Sequence, residues 1–389
     1  MKIAVIGAGH AGVEAAASAR QAGAEVVLFS NESVLPYFRP RLPGVAFGQL
    51  EPGSIAMRPQ EWYDARGIEL RLEGAVTAIT PRERGVVSRA GSEKFDALVL
   101  ASGSVPRLPP VEGLVDDVPF FTLWSLDDAF RIRRFAAPGR RLVVVGGGIL
   151  GLEAALRGCE AGMRVTVIEC LPRLMPLQFG EAAADVICTT LKKCGLQIMT
   201  STRVAGLAEQ EEGTALQLTD GTALETDLVL FATGAQPLAD LAREAGLSTA
   251  CGIMVDSFLQ TSATGIFAAG DVAQVGGQVQ CSVRNAAVQG KLAGANAVAA
   301  AAGRPLQAHH PQPYPVFFKS PEIELYAIGR PADGSLSEER LDDGRDPLRY
   351  RIVVKEGTRI VGVQMVGTRE GFDALAADVC AVCRLPFAD

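Results

Sequence analysis

The chain is poor in the residues that build metal centres and aromatic platforms. It has three histidines, two tryptophans and five tyrosines among 389 residues, so a histidine-rich metal site is not expected. There is no apolar run of membrane-spanning length, and no membrane partner is expected. Positive charge is not in excess, since the net charge is −7, which argues against nucleic acid as a main partner. The N-terminus reads as strand, glycine turn and helix without a basic leader, so no signal peptide is expected. Eight cysteines without such a signal suggest reduced thiols in the cytoplasm.

What is abundant is glycine, at 42 residues, and its placement is informative. Gly7-Ala8-Gly9-His10-Ala11-Gly12 follows the apolar run Ile3–Ile6, and Gly146-Gly147-Gly148-Ile149-Leu150-Gly151 follows Leu142–Val145. Each begins where a buried strand stops and an Ala-rich helix starts. In this pattern the first glycine allows a tight turn and the second lets backbone approach a pyrophosphate. The third lets helix pack close to strand. The helix N-terminus then offers unpaired N–H groups to the phosphates. A second repeat follows in each half. Asp96 to Leu100 ends in Ala101-Ser102-Gly103, and Asp227 to Phe231 ends in Ala232-Thr233-Gly234. The same signals in the same order indicate an internal duplication and two bound dinucleotides.

The fold class expected is α/β, with two Rossmann-like dinucleotide-binding domains and a small α+β C-terminal domain. Residues 1–110 plus 239–310 read as a flavin (FAD) domain and residues 111–238 as a nicotinamide (NAD) domain. Residues 311–389 read as an interface domain. A long helix is expected over Val283 to Ala302. Pro331 to Pro347 is polar and reads as a mobile loop, His309 and His310 as linker residues, and His10 as a filler of the first glycine loop.

The segment Leu35-Pro36-Tyr37-Phe38-Arg39-Pro40-Arg41-Leu42 resembles the P-Y-x-R-P-x-L segment of rubredoxin and ferredoxin reductases. Thr264-Gly265-Ile266-Phe267-Ala268-Ala269-Gly270-Asp271 resembles a second flavin motif of the same family. The chain thus looks like the two-dinucleotide-domain flavoproteins of the glutathione-reductase type. It is most similar to NADH:rubredoxin reductases and to the flavin module of NADH-dependent nitrite reductases. The resemblance covers residues 1 to about 300 strongly.

It implies FAD over Gly7, Gly9, Gly12, Gly270 and Asp271. Ser30, Asn31, Glu32, Arg39, Arg41, Ala101, Ser102, Gly103 and Arg107 join that site. Ser30 or Glu32 is a candidate for the adenosine ribose. NADH is expected over Gly146, Gly148, Gly151 and Gly234. Glu169 at the end of the second strand accepts from the ribose diol and disfavours a 2′-phosphate, while the nearby Arg173 softens that preference. By resemblance Glu153 faces the nicotinamide, with Arg41 a candidate for the missing lysine partner. The helix including Asn285 to Lys291 is the candidate for stabilising reduced flavin through its N-terminus.

Relatives that reduce disulfides carry redox cysteines after the second strand of the first domain, and residues 33–60 contain none. Electrons are therefore expected to leave the flavin directly, to a small electron-carrier protein such as rubredoxin. Arg39 and Arg41, with Arg131, Arg133 and Arg134, are candidates for steering it. The alternatives are the flavin subunit of a larger reductase complex, a regulatory flavoprotein, or transfer through Cys380 and Cys383. That C-x-x-C pair reads first as structural packing and second as a redox dithiol.

Overall fold

The computed structural model describes residues 1–114, 120–210, 213–331, 336–342 and 344–382. Its two principal sheets follow from the apolar runs. Strands buried on both faces need cover on both sides, and parallel pairing with helical crossovers provides it. The first sheet is parallel throughout. Its order is Ile266–Ala268, Ala97–Leu100, Lys2–Ile6, Glu25–Phe29, Ile68–Arg71. The second, also parallel, is Gln197–Met199, Arg164–Ile168, Arg141–Val145, Leu228–Phe231, Phe120–Phe121.

The duplication holds at the level of register. Lys2 pairs with Glu25 and Ile3 with Ala97; Arg141 pairs with Arg164 and Leu142 with Leu228. Each half also inserts a three-stranded antiparallel sheet before its Ala-(Ser/Thr)-Gly strand. These are Val76–Thr80, Gly85–Ser88 and Gly91–Lys94, then Val204–Glu209, Thr214–Leu218 and Ala223–Thr226. The halves are joined by a two-stranded ribbon, Ser104–Pro106 against Ala235–Pro237. Both strands of that ribbon leave directly from Gly103 and Gly234.

The first glycine-loop helix, His10–Gln21, packs against the long helix Val283–Ala301 almost backbone to backbone. A methyl group on Gly290 would stand 2.1 Å from the Ala11 carbonyl oxygen, and one on Gly294 2.2 Å from that of Ala15. The two contacts advance together along both helices, so the helices run parallel. Their N-termini therefore point the same way, that of the long helix reaching further.

A third unit has five antiparallel strands in the order Val316–Lys319, Glu324–Gly329, Arg359–Val366, Tyr350–Glu356, Ser337–Arg340, followed by the helix Phe372–Val382. It shares an apolar core with the second half and with the Tyr37–Phe47 segment. Gln364 extends from this sheet to accept the Gly180 N–H at 2.8 Å.

One expectation is corrected. Ser337–Arg340, inside the expected loop, pairs as an edge strand with Tyr350–Glu356. All four of its residues are exposed, so hydropathy carried no signal of it. His309 lies in the irregular segment between the long helix and Val316–Lys319, and is buried there. It is 2% exposed, and its N–H donates to the Ser257 carbonyl at 2.6 Å.

Candidate functional site: twin dinucleotide loops

Steric contact explains the glycine spacing in both loops. A methyl group on Gly7 would stand 2.2 Å from the Ala101 carbonyl oxygen; one on Gly146 would stand 2.3 Å from that of Ala232. One on Gly12 would stand 1.7 Å from the Gly7 oxygen, and one on Gly151 2.0 Å from that of Gly146. The first and third glycines, with the Ala101 and Ala232 strand ends, are therefore demanded by packing within the chain. The middle glycines are different: a methyl group on Gly9 or Gly148 would meet nothing within 4 Å. Glycine there is not required by the protein itself. An open cradle at a helix N-terminus is what a pyrophosphate needs.

Around the first loop a polar network runs from Glu32 to Asp271. Tyr37 donates its hydroxyl to Glu32 Oε2 at 2.6 Å, and Arg39 Nη2 donates to Glu32 Oε1 at 2.7 Å. Arg39 also donates to the Trp124 carbonyl. The Trp124 ring N–H donates to the Ser104 carbonyl at 2.7 Å, and Ser104 Oγ donates to Asp271 Oδ2 at 3.0 Å. Burial raises the Asp271 pKa, while the Ser104 hydroxyl and the Arg39 charge oppose that rise. Gly270 is held by its N–H on Gln289 Oε1 at 2.8 Å, from the long helix.

Among the described residues, two buried polar atoms on these helices have no hydrogen-bond partner: His10 Nε2 on one and Asn285 Oδ1 on the other. Buried polar atoms are nearly always paired, so orphans beside an open glycine cradle fit a site completed by a polar ligand. The residues present thus suit a flavin dinucleotide.

The second loop is shaped by Glu169. Its Oε2 accepts the Gly147 N–H at 2.7 Å and its Oε1 the Leu171 N–H at 2.8 Å. The carboxylate is fixed beside the loop and is 7% exposed. Arg173 is committed elsewhere, donating to the Phe179 carbonyl at 3.1 Å. Glu153 lies one turn into the following helix. Burial pushes its pKa up to about 7, with Arg157 opposing.

The structure brings together Gly7, Gly9, Gly12, Ala101, Glu32, Arg39, Gly270 and Asp271, and separately Gly146, Gly148, Gly151 and Glu169. Other expected residues are placed differently. Ser30 is buried and accepts the Glu32 N–H at 3.2 Å, while Asn31 is exposed. Ser102 donates to the Leu238 carbonyl at 2.8 Å, and the Arg107 N–H to the Gly234 carbonyl at 3.0 Å, so both brace the ribbon between the halves. Arg41 is exposed with its guanidinium 5.8 Å from the Phe38 ring centre, and the charged group acting on Glu153 is Arg157.

Sequence reasoning missed Tyr37, Ser104 and Trp124 as network members, because no motif marks a side chain recruited from a distant strand. It also missed Cys281. Desolvation and the Asp271 carboxylate push that thiol up to about 11, so it stays protonated at neutral pH. Cys380 donates to the Pro313 carbonyl at 3.6 Å, and Cys383 lies outside the described residues.

Two parallel sheets, each ending in a glycine cradle, define an oxidoreductase of two nucleotides. Residues 1–290 match the model of the pyridine nucleotide-disulphide oxidoreductases, and the chain belongs to that family. It is accordingly an enzyme of FAD and NADH. Terpredoxin reductase of Pseudomonas sp is 34% identical over 360 residues, 89% of this chain and 86% of that one. Rubredoxin-NAD(+) reductase of Ectopseudomonas oleovorans is 34% identical over 280 residues, 70% of this chain and 72% of that one. Among solved structures, a covalent putidaredoxin reductase–putidaredoxin complex superposes with a TM-score of 0.87 at 28% identity. The match covers 98% of this chain and 93% of that one. The resemblance read from the glycine loops and the Pro36–Leu42 segment is borne out. No helix among the described residues is long and apolar enough to cross a membrane.

Proposed function

We propose that this chain is a cytoplasmic, FAD-dependent NADH oxidoreductase that hands electrons directly to a small iron–sulfur carrier protein of the rubredoxin or ferredoxin type. The flavin belongs to residues 1–110 with 239–310 and the nicotinamide to residues 111–238. Residues 311–389 form the interface domain. The observation that carries the reading is the pair of open cradles at Gly9 and Gly148, on sheets joined by one short ribbon. The named relatives that reduce small carriers support the same reading.

Bound flavin supplies hydride acceptance from the nicotinamide and release of electrons to a one-electron partner. The chain supplies position and charge. The Gly7–Gly12 and Gly146–Gly151 loops offer backbone N–H groups to the two pyrophosphates. Asp271, held by Ser104, would bind the sugar chain of the flavin, and the N-terminus of Val283–Ala301 would supply a positive dipole end to its ring. Glu169 selects the unphosphorylated ribose. Loss of hydride makes the nicotinamide ring cationic, so an ionised Glu153 favours that step.

Two features support direct exit. Residues 33–60 hold no cysteine, and the Cys281 thiol, raised by burial and the Asp271 charge, is protonated at neutral pH. The helix Leu126–Phe135, with Arg131, Arg133 and Arg134, adjoins the Tyr37–Arg41 segment through the Leu126 N–H on the Tyr37 hydroxyl at 3.2 Å. Arg131 packs over the Phe121 ring and Arg133 pairs with Glu51 at 3.6 Å, and with Arg134 they are the cations proposed to meet an acidic carrier. The test is anaerobic steady-state reduction of rubredoxin and ferredoxin at rising salt. Exposed charges are screened beyond about 10 Å at 0.1 M salt, so the rate should fall. A rate flat in salt contradicts steering by these arginines; absence of carrier reduction contradicts the function.

A further inference from the structure

The chain carries a net charge of −7, yet one cleft in its first half gathers cations. The helix His10–Gln21 starts at the first glycine loop and runs back along the sheet, so that Arg20 lies about 15 Å from its start. This end adjoins the edge where the parallel strands begin, since Glu25–Phe29 follows within a few residues, whereas the glycine loop follows the end of Lys2–Ile6. Ala17, Arg20 and Gln21 here join Trp62, Ala65 and Arg66, from the short helix Gln60–Asp64 and the turn after it, to line an open cleft of about 790 Å³. A space of that size takes a small organic molecule.

The cations of this cleft are braced but not neutralised. Arg20 Nη1 donates to the Ala24 carbonyl at 3.0 Å, and its Nε donates to the Arg66 carbonyl. Arg66 Nη1 donates to the Trp62 carbonyl at 3.3 Å, and its guanidinium lies 4.2 Å from the Trp62 ring centre. Arg58 lies 5.5 Å from the same ring and donates to the Met57 carbonyl at 3.1 Å. Among the described residues none of the three pairs with a carboxylate, and Asp64 accepts instead from Gln60 Nε2 at 2.9 Å. Arg39 and Arg71 of the same half, by contrast, sit on carboxylates at 2.7 and 2.6 Å.

Carbonyl oxygens orient a guanidinium and leave its charge for another partner. Guanidinium forks match phosphate oxygens, and fixed ones lose little freedom on binding. The Trp62 indole and the Ala17 and Ala65 methyl groups add an apolar wall, which a bare phosphate does not use and a flat ring does. We propose that this cleft is a separate binding site for a nucleotide, with its phosphates on Arg20 and Arg66, its base against Trp62 and the alanines, and Arg58 adding charge at the rim. The site shares no residue with either glycine loop, and it lies toward the opposite edge of the first sheet from Gly7–Gly12.

Isothermal titration calorimetry of the holoenzyme with ADP tests this, in wild type, Arg66→Gln and Trp62→Leu. Wild type should take up ADP at two sites per chain, one from which NADH displaces it and one from which NADH does not. Each substitution should weaken the second site by about tenfold or more and leave the first unchanged. The flavin spectrum and the KM for NADH should not move, which separates loss of the cleft from loss of the fold. Pyrophosphate, which lacks the ring, should bind the cleft at least about tenfold more weakly than ADP. Absence of the second site in wild type, or its persistence at full affinity in Arg66→Gln, overturns the proposal. Pyrophosphate binding as tightly as ADP overturns the assignment to a nucleotide. If ADP shows no second site and the substitutions instead raise the KM for a carrier protein, the cleft docks that protein and the proposal fails.

Discussion

Glu153→Gln is the substitution whose consequences the structure predicts most fully. Burial raises the Glu153 carboxyl to about 7, against 4.5 for a free glutamate side chain. The folded state therefore favours the protonated acid. The stability this gives is fully present below about pH 4.5 and is lost as pH rises to about 7. A difference near 2.5 units, at 1.36 kcal/mol per unit, amounts to about 3 kcal/mol. Glutamine has nearly the same shape and never ionises. The variant should match wild type to within about 1 kcal/mol at pH 5 and exceed it by about 3 kcal/mol at pH 8. Urea unfolding of both proteins across that range gives the difference, in which all other titrating groups cancel. Catalysis should move the other way. Wild-type hydride transfer from NADH, followed by stopped flow, should rise with pH through about 7 as the carboxylate forms. In Glu153→Gln it should be slow and flat. A stability difference independent of pH would refute the burial argument. An unchanged pH profile in the variant would remove Glu153 from the hydride step.

Gly9→Val should fold and yield colourless protein, since its side chain meets no protein atom and enters only the cradle; retention of flavin on purification would refute this. Gly12→Ala should instead lose soluble protein, because its methyl group would lie 1.7 Å from the Gly7 oxygen. Glu169→Ala removes the acceptor proposed for the ribose diol and frees the Gly147 and Leu171 N–H groups. Charge-assisted bonds contribute about 1.5–3 kcal/mol, so kcat/KM for NADH should fall roughly 10- to 100-fold and the gap to NADPH should narrow. Steady-state kinetics with both nucleotides checks it.

The parts of the fold legible in the sequence were those in which sterics act over short spans. The first and third glycines of each loop are fixed by carbonyl oxygens of the same motif or of the Ala-(Ser/Thr)-Gly strand end, so spacing alone carries the geometry. The buried strands were legible because both faces are covered. The edge strand Ser337–Arg340 was not, since it is exposed on every residue and reads as a polar loop. At the site, Asp271 and Glu169 were marked by motif position. The links from Tyr37 through Arg39 and Trp124 to Ser104 were not, because they join residues far apart in the chain with no shared period. Cys281 was passed over for the same reason. It stands two residues before the long helix, not in the segment 33–60 where redox cysteines were looked for.

The most direct test of the account is an anaerobic double-mixing experiment on thiol-alkylated protein. One equivalent of NADH should bleach the flavin, and oxidised rubredoxin or ferredoxin added next should restore the yellow colour, two one-electron carriers being reduced for each NADH consumed. Full bleaching and reoxidation after alkylation is the result predicted for direct transfer from flavin to carrier. A flavin that NADH bleaches but no carrier reoxidises, or carrier reduction that disappears with alkylation, would contradict it.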